Sequence, residues 1–346
     1  MTGTPRSFDV LIAGGGPAGA AAAIVCAAQG LRTLILEKST SPRQACETLH
    51  PGADRLFARL GVEEAIRKAH FPRHRGHVSI TSAGSSFSAY GSDERGEWHG
   101  YHVERAVLDE ILLARARASG ARVLVSTARE TLRAGLRVQG IRTEAGEFHA
   151  PFTIDAGGGV HWLQRRLGLP VLEVSGRLVA RYGTRSQVSA RDTNAPEFRE
   201  TGCGWEWAVP LEQAREAWVK LRLDGTKSAR EARSGGRDVT WRLAWPCAGK
   251  GYFLAGDAAF VLDPASSKGV IRALLSGIAA ADAIVEIAAG KIDADAAQRR
   301  YASWLRSVFC ADATTLGSLY SRMNSPPSWL ASAAGAIRNI STYPLA

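Results

Sequence analysis

Lysine is scarce in this chain: of 43 basic residues 7 are Lys and 36 are Arg, and no run of Lys and Arg exceeds two residues. A formal charge of +10 invites a nucleic-acid or anionic-membrane reading. Scattered arginines without a basic, aromatic-interleaved motif exclude nucleic acid. The excess reads instead as Arg serving as the default surface cation, and as a docking face for an acidic partner. Paired cysteines are also lacking. Cys26, Cys46, Cys203, Cys247 and Cys310 are odd in number and form no C-x-x-C, which excludes a disulfide framework or zinc site and fits a reducing cytoplasm. One long charge-free run, 10–31, is broken by Gly14-Gly15-Gly16-Pro17 and has no clear basic leader, so neither a membrane span nor a signal peptide is expected. Internal repeats and low-complexity tracts are absent. What remains is an ordinary globular balance of 346 residues, 45% apolar and 22% charged, enough for about two domains.

Phe8 to Ala13 is a short β-leaning run ending in glycines, Pro17 to Gln29 is an alanine-rich helix, and Leu31 to Leu36 is a second apolar run. Helices are expected over 51–60, 101–119 and about 270–289, and past 293 with a break at Pro326-Pro327. Gly76 to Tyr90 alternates as a strand pair, 122–126 and 152–156 are strand-like around a hairpin, and strand patterning dominates 174–245.

Gly14, Gly16 and Gly19 form G-x-G-x-x-G between strand and helix, where the pattern has mechanical meaning. The first glycine permits the turn, the second admits a pyrophosphate to the helix N-terminus beside Pro17 and Ala18, and the third lets helix and strand pack. Glu37, 18 residues beyond Gly19 and followed by Lys38, is placed to accept ribose hydroxyls and to repel a 2′-phosphate. This unit alone does not separate NAD from FAD.

A second signature does. Gly256-Asp257-Ala258-Ala259 is followed by Asp263-Pro264, Ser266-Ser267-Lys268-Gly269 and Val270, and here the chain resembles the FAD-dependent monooxygenase and flavin-dependent halogenase superfamily. The resemblance implies that Asp257 binds the ribityl chain and that the turn from Pro264 to Gly269, with Gly256 and Val270, lies along the flavin. Glu47-Thr48-Leu49-His50-Pro51 resembles the family's acid–proline turn. Tyr101 to Arg105 resembles its FAD-contacting segment, with Arg105 as the contact and Arg43 as a further phosphate contact or a plain loop arginine. Trp205-Glu206-Trp207-Ala208-Val209-Pro210 resembles the halogenase motif W-x-W-x-I-P; in a strand both indoles share a face, walling a substrate cavity or packing as core. The implied fold is α/β: a Rossmann-like FAD-binding domain with a parallel sheet (1–75, 99–165 and 248–300), an inserted β-rich substrate lobe (76–98 and 166–247) and C-terminal helices (301–346).

The chemistry is narrowed by another absence. Halogenases need a lysine in the stretch after the first helices, and Phe71 to Tyr101 has none; Arg73 and Arg75 stay protonated. The chain is also shorter than tryptophan halogenases. The reading is therefore an FAD-dependent monooxygenase that hydroxylates an aromatic substrate through a flavin C4a-hydroperoxide, with O2 as co-substrate. The short tail, Ser-Ser-x-Gly and the Trp98–Arg105 segment resemble flavoproteins that hydroxylate a protein-bound tryptophan during tryptophylquinone maturation, so a tryptophan-containing peptide or protein joins aromatic small molecules as substrate. Asp155-Ala156-Gly157 splits the family's Asp-Gly pair and weakens direct NADPH binding; electrons from NAD(P)H then come through a separate flavin reductase. Glu47, Ser267 and Lys268 are the catalytic candidates, with His50 and His161 as further acid–base candidates. Halogenation and a reductase or dehydrogenase activity of the geranylgeranyl reductase type stay open as alternatives.

Overall fold

The computed structural model describes residues 6–39, 46–186, 194–211, 215–225 and 236–344. Its centre is a six-stranded sheet in the order Arg122–Val125, Thr33–Glu37, Val10–Ala13, Phe152–Asp155, Tyr252–Leu254 and Ala248–Gly249. The first five strands are parallel and the last is antiparallel. The two central strands, VLIA and FTID, are buried along their whole length, as a parallel sheet covered on both faces requires. Helix α1 (Pro17–Ala28) crosses over between the first two strands of the chain's nucleotide unit. It carries no charge and is buried on all sides, so it is held by tertiary packing rather than by an amphipathic stripe.

The second body is a seven-stranded lobe sheet ordered Gly236–Asp238, Val179–Ser186, Arg215–Arg222, Gly204–Leu211, Glu197–Thr201, Gly76–Thr81 and Gly84–Ala89. Two distant chain segments thus share one sheet. A three-stranded sheet, Cys46–Leu49 with Gly100–Glu104 and Arg73–His74, stands between the two bodies. The expected helix over 101–119 begins only at Arg105 (helix α4, Arg105–Ala118), because Tyr101 to Glu104 pair as a strand with Leu49 to Cys46. Between these, α2 (Ala53–Leu60) and α3 (Glu63–Lys68) cap one end of the domain; α5 (Trp162–Leu167) is too short to have shown periodicity in the sequence.

Helix α6 (Gly269–Ala288) lies directly on α1, and α7 (Ala294–Tyr320) and α8 (Leu330–Ser341) close the far side. The contact between α1 and α6 is a backbone contact. A Cβ on Gly277 would overlap the Ala18 carbonyl oxygen, and one on Gly19 would overlap the carbonyl of Gly14. No helix among the described residues is long and apolar enough to cross a membrane. Replacing Gly277 with Ala is expected to push α6 off α1 at a cost of about 1–3 kcal/mol. Differential scanning calorimetry reads this as a lowered Tm, and FAD retention should fall with it.

Candidate active site

At the C-terminal end of the central strand the chain turns through Gly14, at φ +104°, where a Cβ would lie 2.5 Å from the Ala156 carbonyl oxygen. Only glycine fits there. The Gly15 N–H donates to Glu37 Oε2 at 2.5 Å, which ties the glycine turn to the acid at the end of the next strand. Gly16 then caps α1 in an extended conformation with no side-chain acceptor, Pro17 sits at the first helical position, and no acidic residue occupies the first turn. The positive helix end is therefore left for an external anion.

The second segment arrives because α6 packs on α1. Gly256, at φ +60°, sets its α-carbon beside Ala18, and Asp257 follows it on a half-buried turn. Asp257 forms an ion pair with Arg237 from the edge of the lobe sheet. Asp263 caps the Pro264–Ser266 turn by accepting from Ala265 N at 3.0 Å, Ser267 takes a left-handed conformation at φ +50°, and Val270 is buried in the first turn of α6. Lys268 Nζ donates to Asp312 of α7 at 2.9 Å, and the buried Arg272 donates to Ser266 Oγ at 2.8 Å.

These glycine cradles and the uncapped helix end fit a dinucleotide with its pyrophosphate at α1. A family model described as an FAD binding domain matches residues 7–219. The chain belongs to that family. Among relatives, this FAD-binding protein is 25% identical to a tryptophan 2-halogenase from Chondromyces crocatus, over 91% of this chain and 68% of that one. It is 30% identical to digeranylgeranylglycerophospholipid reductase 1 from Methanopyrus kandleri, over 81% of this chain and 80% of that one. Two solved structures share the fold. The myxobacterial chondrochloren halogenase CndH superposes with a TM-score of 0.84 at 23% identity, covering 95% of this chain and 86% of its own. The peptidyl tryptophan dihydroxylase QhpG superposes with a TM-score of 0.74 at 19% identity, covering 95% and 79%.

In this FAD-binding protein, side chains from two sheets and the loops that follow their strands come together around His50 and Trp207. His50 stands at the rim with its ring 4.9 Å from that of Tyr90, and its Nδ1 accepts from Gly52 N at 3.3 Å. Behind it, half-buried His77 lies 6.3 Å from the Trp207 ring, and the Trp207 indole N–H donates to Thr48 at 3.2 Å. Burial lowers the pKa of both imidazoles, with Lys268 and His77 adding to the effect on His50, so both rings favour the neutral form. Lys268 is thus near enough to His50 for its charge to be felt there, while its amine is paired with Asp312.

The remaining sequence candidates fall elsewhere. Arg105 is buried between Asp109, at 3.0 Å, and Glu47, at 3.2 Å. Burial opposes its charge, but the two carboxylates outweigh burial and raise its pKa. Glu47 is thus held by an ion pair with Arg105. Trp205 shares its strand with Trp207 but is only 1% exposed, and its indole N–H donates to Tyr320 at 2.9 Å. Lys38 is exposed beyond Glu37, and Arg43 lies outside the described residues. His161 has both ring nitrogens engaged: Arg242 Nε donates to Nε2 at 3.1 Å, which leaves the proton on Nδ1, facing the Ala258 carbonyl at 3.2 Å. Both oxygens of the fully buried Asp155 accept backbone N–H groups, from Gly157 and Leu163, each at 2.9 Å. Burial raises its pKa to about 6, although those two bonds oppose the shift. His77, Tyr90, Arg237 and Asp312 carried no motif in the sequence; only their convergence from separate strands and helices marks them.

With Asp257 as a cofactor ligand, Asp257→Ala is expected to weaken FAD binding about tenfold to a hundredfold, the worth of a hydrogen bond to a charged group. Arg237→Ala, which frees that carboxylate, should leave binding equal or tighter. Flavin fluorescence titration reads both.

Proposed function

We propose that this protein is an FAD-dependent monooxygenase that hydroxylates an electron-rich aromatic ring, with a tryptophan side chain in a peptide or protein as the favoured substrate. The observation that carries the reading is the cluster of the Trp207, Tyr90, His77 and His50 rings, together with the Pro264–Gly269 turn, in which the amine of Lys268 is tied to Asp312. When bound, FAD supplies the oxygen-activating chemistry, with O2 as co-substrate and electrons from NAD(P)H through a separate reductase.

The chain's own residues do the rest. The α1 N-terminus with Gly14, Gly16 and Gly19 holds the pyrophosphate, Glu37 the ribose, and Asp257 the ribityl chain. An indole ring entering the cleft stacks on Trp207 and Tyr90, whose faces orient it and exclude water. Oxygen transfer to an aromatic carbon leaves a proton to be removed, and a neutral His50 or His77 imidazole accepts it. Glu47, fixed by Arg105, supplies negative charge at the wall.

Halogenation is the second reading, favoured by the placement of Lys268 at the cleft. Against it, Phe71 to Tyr101 contains no lysine, and Arg73 is occupied by Asp54 at 3.6 Å and by the Tyr101 ring at 4.4 Å. The likeness to a digeranylgeranylglycerophospholipid reductase keeps an oxygen-independent reduction as an outcome of the same assay.

The deciding experiment supplies FAD, NADH and a flavin reductase under 18O2, with L-tryptophan or a tryptophan-containing peptide, with and without bromide. The expected product gains 18O, more efficiently on the peptide. Bromine incorporation that requires Lys268 would establish the second reading instead, and turnover without O2 would remove both. If His50 is the base, kcat/KM should hold through neutral pH and fall on acidification only below the ordinary imidazole value near about 6.5, because its pKa is lowered. His50→Gln should abolish that acid limb in the pH–rate profile.

A further inference from the structure

Asp263, next to the flavin turn, is fully buried and has no part in the chemistry proposed above. Besides Ala265 N it accepts from the Trp241 indole N–H at 2.6 Å, and the Tyr320 phenol, stacked on that indole, lies within its reach. Tyr320, on the last turn of α7, is itself fully buried and accepts from the Trp205 indole N–H. Burial raises the pKa of both partners. The phenol therefore keeps its proton at rest, and the carboxylate is a stronger base than one in water.

The rings extend this pair in two directions. Tyr320 stacks on Trp241 with centroids 5.9 Å apart, and Trp241 meets Trp329 edge-on at 5.2 Å. Trp329 is half-buried at the protein surface. In the other direction Trp205 packs on Phe198 at 5.6 Å, and Phe198 meets Trp207 of the cleft at 6.1 Å. Packing alone would be met by Phe and Leu. Here every member of the line except Phe198 is an indole or phenol, the side chains most easily oxidised by one electron.

We propose that Trp207, Trp205, Tyr320, Trp241 and Trp329 form a hole-transfer line from the cleft to the surface, with Asp263 as the proton acceptor of Tyr320. Its purpose rests on the oxygen-activating reading: an oxygen-derived radical left in the cleft without substrate takes one electron from Trp207. Trp207 is refilled through Trp205 from Tyr320, whose O–H bond breaks as its proton forms an O–H bond on Asp263. Trp241 then reduces Tyr320 while that proton returns, and Trp329 reduces Trp241. A soluble thiol or ascorbate restores Trp329, so the oxidant gains one electron, the soluble reductant loses one, and the protein is unchanged.

The test needs neither substrate nor O2. FAD-loaded protein carrying Tyr182→Phe and Tyr343→Phe, which removes two exposed tyrosines, is oxidised by flash-quenched ruthenium tris-bipyridine and followed by transient absorbance and electron paramagnetic resonance. A tyrosyl radical is expected that falls to background when Tyr320→Phe is added. Its yield should drop in Trp329→Phe, which blocks entry from the surface, and its formation should slow in Asp263→Asn. Bound-flavin absorbance and Tm verify that each variant is folded. An equal radical yield with and without Tyr320, or an unchanged yield in Trp329→Phe, would overturn the line. Because the oxidant acts from outside, that failure leaves the hydroxylase reading standing, and loss of hydroxylase activity leaves the line testable.

Discussion

Everything at the candidate site depends on one close approach, the backbone of α1 against the backbone of α6. Gly277 against the Ala18 carbonyl and Gly256 against the Ala18 methyl bring together segments more than two hundred residues apart in the chain. A single methylene at Gly277 would separate them, because close-packed interiors do not absorb such a volume without moving whole elements. The uncapped N-terminus of α1 and the Asp257 turn then face the same space. Neither alone would hold more than a fragment of a dinucleotide.

Charge is organised around that frame. The arginine excess, conspicuous in composition, is spread over ion pairs such as Arg32–Asp9, Arg67–Glu64 and Arg142 with Glu130 and Glu147. Exposed pairs of this kind contribute little stability each. Among the described residues the buried pairs include Arg105 between Asp109 and Glu47, Arg272 beside Asp312, and Arg185 with the buried Glu216 of the lobe sheet. The first two form where a helix starts, and in both an arginine holds a carboxylate.

The aromatic residues divide in the same way. The W-x-W segment sends two indoles to one face of a strand, yet Trp207 faces the cleft and Trp205 enters the core. The difference arises one residue pair along the strand, where α7 brings Tyr320 against Trp205 while Thr48 meets Trp207. Asp263 binds that buried cluster to the Pro264–Ser266 turn, so the lobe, the turn and the C-terminal helices share one polar junction.

The amino-acid sequence by itself determined the local units: the glycine turn and its helix, the acid ending the next strand, the Gly-Asp turn, and the alternation of Gly76 to Tyr90. These follow from backbone sterics and hydrophobic period, which act over a few residues and leave a pattern that can be read. The family resemblance came from the same short motifs. Taken locally, Tyr101–Glu104 has the pattern of a helix; its strand partner, Cys46–Leu49, lies some fifty residues away, and pairing overrides local propensity. Only the tertiary structure decided that Arg105 is held by two carboxylates, that His161 has no free nitrogen, and that His50, His77, Tyr90 and Trp207 meet. Such arrangements are set by packing between distant segments, and packing leaves no periodic trace in the chain.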